Sequence, residues 1–394
     1  MLKLIWVDFK RAWIGSLVLI VLISATVCFR TFITLEERAL RLGSAKAAEN
    51  IDLIVGAAGS EVQLVLSVVY LQHSPLPLLD GKYYQEIASN PLTKWAAPIA
   101  LGDFYLKSPI IGTIDTLVTN GGERSLAHGR IFEKPYEAVV GIHTNLKIGD
   151  KFTPLHNQAD SFDAHLHEDT QYEVVGILKS DSTAWDRAIF VPIKSVWDIH
   201  RHKDNGDDQE EYEENMPISA IVIKPKSVSG AYQLRSLYKQ NLTQAVFPAE
   251  VLARIYAILG DARALLLNIS VISSILTLIV LMASSAIYLK FRSKNIAALR
   301  AFGASAHRIF MLVWFGLVLI AFIGMIFGTL FGFLSAVFVS REISAQQGFI
   351  LPIVFEWEDL VYFVIFMIVL SISLLIPSFM TYRYSVLRYI KYQI

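Results

Sequence analysis

The sequence predicts an α-helical membrane protein with four transmembrane helices and a large mixed α/β extracytoplasmic domain between the first and second helices. Three observations lead there. The 394 residues are 54% hydrophobic and 18% charged, with a mean hydropathy of +0.47. Soluble domains run about 45–50% apolar and about 25% charged. Four long apolar runs stand out, and more than half of the chain, with the alternation and turn residues of a globular fold, separates the first from the second.

The first run, Ala12–Phe29, has eighteen residues without a charge, enough to cross a bilayer core. Lys3, Lys10 and Arg11 precede it as they would in a signal peptide. The run is longer than a usual signal core, and no small-residue cleavage pattern occurs before Arg30, so it reads as an uncleaved anchor. The second run is Ala264–Leu289, interrupted by Asn268 and several serines. The third, Ile309–Val339, has thirty-one residues, enough to tilt or to project beyond the bilayer. The fourth is Leu360–Met380, with Pro377 near its end. Trp13, Tyr288, Trp314, Trp357 and Tyr382 lie close to run ends, where interfacial aromatics collect.

Charge sets the orientation. Lys plus Arg and Asp plus Glu both number 35, so the formal net charge is zero, which argues against a nucleic-acid binder. The charges are nevertheless separated. Residues 1–13, 290–308 and 381–394 together hold eleven basic residues and one acid, Asp8, leaving 24 basic and 34 acidic residues elsewhere. Positive-inside ordering places both termini and the 290–308 loop in the cytoplasm. The expected divisions are a cytoplasmic start and first helix at 1–33, a periplasmic α/β domain at 34–263, and a second helix at 264–289. A cytoplasmic coupling loop at 290–308, a third helix at 309–339, a short periplasmic loop at 340–359, a fourth helix at 360–380 and a cytoplasmic tail at 381–394 complete them.

Within the outer domain, Glu36–Glu49 reads as a helical continuation of the first span. Ser60 is placed to cap a helix through Glu61-Val-Gln-Leu-Val-Leu. Tyr172–Leu178, Ala188–Pro192 and Ile218–Ile223 read as strands. Asp204–Asn215, with seven acids, reads as a solvated loop. The one cysteine, Cys28, excludes an internal disulfide framework.

The chain has no Walker A motif, no H-E-x-x-H and no G-x-S-x-G, so neither a nucleotide site nor a catalytic centre of those classes is expected in it. No ionisable residue lies inside the four runs, which weighs against channels and proton-coupled carriers. Lys290–Ser305 combines basic residues with Ile296, Leu299 and Phe302 at helical spacing, closed by Gly303. Such a segment suits a basic helix on anionic lipid, and equally a docking helix entering a groove on a cytoplasmic partner. Gly324, Gly328 and Gly332 form a small-xxx-small stripe that permits close helix approach, within one chain or between two. His165, His167, His200 and His202 lie among acids, and imidazole with carboxylate can hold zinc, although exposed polar loops have the same composition.

Ile296-Ala-Ala-Leu-Arg-Ala-Phe-Gly-Ala304, together with the order of one span, a large outer domain and three spans, resembles the MacB/FtsX-type (type VII) permeases of ABC transporters. Asp52–Ser60, Val174–Leu178 and Asp186–Pro192 are similar to the DevC-like and haem-exporter-like subgroup. The resemblance implies a homodimer in the bacterial inner membrane, bound to a cytoplasmic ABC ATPase dimer that uses ATP and Mg, with no cofactor held by the permease itself. It also implies mechanotransmission: Lys294, Ile296, Leu299, Arg300, Phe302 and Gly303 meet the ATPase, and the first two spans carry its motion to the outer domain. A periplasmic adaptor or binding protein is a further expected partner. The family commonly has an acid just before the loop isoleucine, where this chain has Asn295. Two other readings stay open: a regulatory subunit acting on an envelope enzyme, and a metal sensor without an ATPase.

Overall fold

The computed structural model describes residues 13–156, 165, 166, 170–201, 216–291, 293–347 and 350–383. The chain divides into two compact units. One comprises Met1–Ala39, Leu259–Ser340 and Ile353–Ile394, and the other Leu40–Ile258 and Arg341–Pro352. Helix α1 (Trp13–Ala48) opens the described chain as a single helix, with its residues after Ala39 in the second unit. The apolar run and the charged Glu36–Glu49 segment thus form one element. Ala, Leu, Glu, Arg and Lys, all good helix formers, let it continue past the last apolar residue.

The second unit is built on β1 (Leu53–Ala57), followed by α2 (Glu61–Val69) and α3 (Lys82–Ser89). Then come β2 (Thr93–Tyr105), β3 (Ser108–Thr113), α4 (Asp115–Val118), β4 (Leu126–Gly129) and β5 (Glu137–Val140). The short strands β6 (Lys151–Phe152), β7 (Leu155–His156) and β8 (His165–Leu166) precede β9 (Tyr172–Leu178). Strand β10 (Ile189–Pro192), helix α5 (Ile193–Arg201), β11 (Ala220–Pro225), α6 (Val228–Tyr238) and β12 (Thr243–Val246) complete it. Nine strands line up as β12-β1-β11-β2-β3-β10-β5-β9-β4, with β6 on β9, β7 on β2 and β8 on β7. The sheet is mixed: β10 runs parallel to β3 and β5 parallel to β9.

Strand β2 joins the two halves of this sheet. Its first part pairs with β11 and its second with β3, and the register slips between Ala100 and Asp103. Gly102 there has φ +148, and the Leu101 N–H donates to Ser219 Oγ at 3.0 Å. A bulge of this kind bends a strand and increases its twist. Apolar side chains such as Leu53, Val55, Ile110, Val140, Ile189 and Ile221 pack into one core. Each such burial contributes roughly 1.5–3 kcal/mol. Ser60 caps α2, accepting from the Gln63 N–H at 3.2 Å.

Helix α7 (Pro248–Phe291) leads out of the α/β unit, its residues from Leu259 onward belonging to the helical one. It is followed by α8 (Ser293–Ala301), α9 (Ala306–Gln347), α10 (Trp357–Ser373) and α11 (Leu375–Phe379). Four segments among the described residues are long and apolar enough to cross a membrane: Trp13–Ala48, Asn268–Ile287, Ala306–Ser344 and Trp357–Tyr382. The helices outrun the apolar stretches, so the 340–359 segment is not one loop. Helix α9 continues to Gln347, and α10 starts at Trp357. Helix α10 stops at Ser373, four residues before Pro377, whose ring would collide with that carbonyl.

The helical unit has its own apolar core. Leu19, Ile23 and Val27 of α1 meet Leu281 of α7, Leu317, Ile320 and Met325 of α9, and Phe366 and Leu370 of α10. Thr26 and Thr277 share a hydroxyl hydrogen bond of 2.6 Å between α1 and α7. The Trp314 indole N–H of α9 donates to the Ser371 carbonyl of α10 at 3.0 Å.

Candidate functional site

The basic loop after α7 folds into a short helix with a precise stop. Gly303 sits at φ +89, in the left-handed region. Its N–H donates to Arg300 O and the Ala304 N–H to Leu299 O, both at 3.0 Å, which is the Schellman arrangement at a helix end. Ser305 then begins α9, accepting from the Arg308 N–H at 3.4 Å. The chain therefore reverses between α8 and α9 within a few residues.

This geometry divides the apolar residues of α8. Ile296 is 4% exposed and packs against Leu289 and Ile309. Phe302 is 90% exposed and Leu299 37%. The single docking face expected from Ile296, Leu299 and Phe302 is corrected here: Ile296 anchors the loop to α7 and α9, while Leu299 and Phe302 stay outward. Arg300 is half-buried, and the Lys294 side chain lies outside the described residues.

The glycine stripe meets α1. A methyl group at Gly324 would lie 2.9 Å from Ile23 Cβ. One at Gly328 would lie 2.7 Å from both Ser24 O and Val27 Cβ, and one at Gly332 2.8 Å from Cys28 O and Thr31 Cβ. All three glycines let the α9 backbone touch that of α1, one contact per turn. Within the chain, the stripe packs against α1.

Two groups of polar contacts fasten the ends of α1 and α7 to the α/β unit. Tyr70 OH donates to Ser44 O at 2.9 Å, Tyr256 OH donates to Leu40 O at 3.1 Å, and Ser44 Oγ bonds to Tyr256 OH. Burial pushes the Tyr70 phenol well above the usual tyrosine range, so it stays a neutral donor. The second group is ionic. Arg254 of α7 reaches Glu61 of α2 at 2.9 Å, and Arg235 of α6 reaches Glu250 at 2.6 Å. Glu61 is held below the usual carboxylate range despite its partial burial, by the hydrogen bond from Arg254 and the nearby Lys239.

Arg38, near the end of α1 within the helical unit, is 4% exposed. Its guanidinium donates to Asp359 at 2.7 and 3.2 Å and to the Val354 carbonyl at 2.9 Å. Asp359 also accepts from the Glu356 N–H at 2.9 Å, closing a capping box at the start of α10. Sequence reading missed this pair because its members are 321 positions apart.

His165 is in β8, in register with His156, and His200 is in α5; their side chains, and all of His167 and His202, lie outside the described residues, as does the acidic 204–215 loop. Among the described residues no group of three or more His, Cys, Asp or Glu side chains is placed to hold a metal. His156 instead pairs with the buried Asp103 at 3.0 Å.

Residues 268–386 match the family described as FtsX-like permease C-terminal. No curated protein shows significant similarity to the chain. The periplasmic region of MacB from Actinobacillus actinomycetemcomitans is similar at 12% identity and TM-score 0.33, over 54% of this chain and 95% of that one. The extracellular domain of the noncanonic ABC-type transporter YknZ from Gram-positive bacteria is similar at 11% identity and TM-score 0.29, over 50% of this chain and 98% of that one. Likenesses this distant carry no argument about what the chain does.

Proposed function

We propose that this chain is the permease subunit of an ABC transporter in a bacterial inner membrane, with both termini in the cytoplasm. It couples ATP hydrolysis by a separate ATPase dimer to movement of its α/β unit, for export or extraction of a substrate. The observation that carries the reading is the α8 loop: an FtsX-like segment in which a basic helix is anchored by Ile296 and leaves Leu299 and Phe302 exposed. An exposed apolar pair within a segment rich in basic residues suits a groove on a soluble partner. The partner supplies the nucleotide chemistry, ATP with Mg, because the chain has no phosphate-binding loop.

Transmission is supported by the two helices that belong in part to each unit. Both α1 and α7 are unbroken through the division, and their ends are tied to the α/β unit by the Tyr70–Ser44–Tyr256 and Glu61–Arg254 contacts. A helix tied at one end passes a displacement on with little loss, since its backbone hydrogen bonds resist shear. ATP shifts this equilibrium only as far as it binds one state better than the other. A homodimer and a periplasmic adaptor or binding protein belong to the same reading; with the glycine stripe facing α1, a second copy meets other surfaces.

The test is co-purification. Leu299→Asp places a charge on the exposed pair and is expected to abolish capture of the ATPase and its stimulated activity. Unchanged capture and activity refute the docking assignment. Substrate-stimulated ATPase activity separates a transporter from a regulator, which would instead co-purify with an envelope hydrolase.

A further inference from the structure

The helical unit contains a cavity of about 330 Å³ walled by α1, α9 and the start of α10, at the end of the unit opposite α8. Two arginines line it, and they differ in what they hold. Arg38 is matched by Asp359 and Glu356. Arg30 lies over the Tyr362 ring, 3.5 Å from its centroid, and among the described residues no carboxylate comes within ion-pair distance of it. Glu358, on the same wall, is exposed; its charge also acts on Arg38, but among the described residues it makes no direct ion pair. The cavity therefore offers one cation and one anion that make no direct ion pair among the described residues.

Their order along the helices is informative. Glu358 and Tyr362 are one turn apart on α10, about 6 Å along its axis. Tyr362, and with it Arg30, is the deeper of the two, and Glu358 lies toward the helix start. The hydroxyl-bearing side chains Thr31 and Thr34 line the same cavity, and Phe355 (46% exposed) and Leu360 (49% exposed) offer apolar surface at its wall.

We infer that this cavity binds the head of a zwitterionic aminophospholipid, its phosphate on Arg30 and its ammonium on Glu358. An ethanolamine head carries its ammonium two methylenes beyond the phosphate, on the side away from the acyl chains. That is the order in which Glu358 and Arg30 stand. A guanidinium is the side chain best suited to a phosphate, through paired charge-assisted hydrogen bonds. The Tyr362 face holds it without neutralising it. Val27, Met325 and Phe363, on the deeper side of the same wall, take the glycerol and upper acyl region. The inference is independent of the ATPase reading, since it concerns residues remote from α8 and requires no nucleotide.

The full chain, purified in detergent, is titrated with dioleoyl phosphatidylethanolamine and separately with dioleoyl phosphatidylglycerol, and bound lipid is counted by native mass spectrometry. Wild type is expected to hold the ethanolamine lipid in preference to the glycerol lipid. Arg30→Gln is expected to weaken both about tenfold, the effect of one charge-assisted contact. Glu358→Gln is expected to abolish the preference while leaving the glycerol lipid bound as before. Equal binding of the two lipids by wild type overturns the inference, as does wild-type retention by Arg30→Gln. Glu358 is exposed, so its variant folds even if the Arg30 variant does not, and a preserved preference in it is equally fatal. Soluble glycerophosphoethanolamine is the last arm: failure to compete supports a membrane lipid, and competition as strong as the lipid's overturns that source.

Discussion

The Arg38 guanidinium grips both oxygens of the Asp359 carboxylate, at 2.7 and 3.2 Å, tying the outward part of α1 to the first turn of α10. Both members are shielded, with side chains 5% and 14% exposed. Removing one partner of a buried pair leaves the other charge uncompensated, which costs about 3–5 kcal/mol. Asp359→Ala is therefore expected to destabilise the detergent-solubilised chain by about 3 kcal/mol in chemical unfolding. Glu356 stands 3.4 Å from Arg38 with 40% of its side chain exposed. Glu356→Gln keeps a capping oxygen and is expected to cost less than about 1 kcal/mol. Equal losses from the two variants would contradict the assignment.

Two glycines of α9 are expected to respond to the same substitution with opposite signs. An alanine at Gly316 meets nothing within 4 Å, so it gains helix propensity, up to about 1 kcal/mol. At Gly328 the added methyl lies 2.7 Å from the Ser24 carbonyl and from Val27 Cβ, and neither backbone can retreat cheaply. Gly328→Ala is expected to lose about 1–3 kcal/mol despite its better propensity. Unfolding curves for the two variants in one detergent decide it, and a stabilising Gly328→Ala would show that α1 and α9 do not touch there.

How far the sequence could be read follows from the range of each interaction. The four spans were legible because hydropathy over a single window decides them. The strands β9 (Tyr172–Leu178) and β10 (Ile189–Pro192), and the Ser60 cap, were legible for the same reason: each depends on neighbours a few residues away. The glycine stripe announced a close helix contact, but nothing local says that α1 rather than another chain fills it. Strand β2 was not read from the sequence; it carries Pro98 in register with Ile221 and Gly102 within its bulge, both residue types that local propensity disfavours in a strand. In α8 the spacing of Ile296, Leu299 and Phe302 was visible, but which residue turns inward depends on α7 and α9. Arg38 and Asp359 each stand among other charges, and pairing across 321 positions leaves no trace in either neighbourhood.

The division within α8 separates folding from docking. Ile296→Ala empties a buried position between Leu289 and Ile309 and is expected to cost about 2–5 kcal/mol. Phe302→Ala removes a ring that is 90% exposed and is expected to leave stability within about 0.5 kcal/mol. Capture of the ATPase should follow the reverse order, with Phe302→Ala weakening it at full stability. A Phe302 variant that loses stability instead would mean the ring packs within the chain.

Glu137 gives the α/β unit a defined acid response. Its carboxylate receives two hydrogen bonds from Arg130, at 2.8 and 2.5 Å, and one from the Glu133 N–H at 2.8 Å. The Arg130 hydrogen bond is the main cause that lowers its pKa from 4.5 to about 2. The folded carboxylate thus stays ionised where the unfolded one is already protonated. Its contribution is complete above pH 4.5 and is lost as pH falls through the window down to about 2. Glu137→Gln removes this contribution. The variant should be less stable than wild type at pH 6, and the gap between their unfolding midpoints should narrow steadily below pH 4.5. A gap that stays constant across that window would mean that Arg130 does not hold the carboxylate in solution.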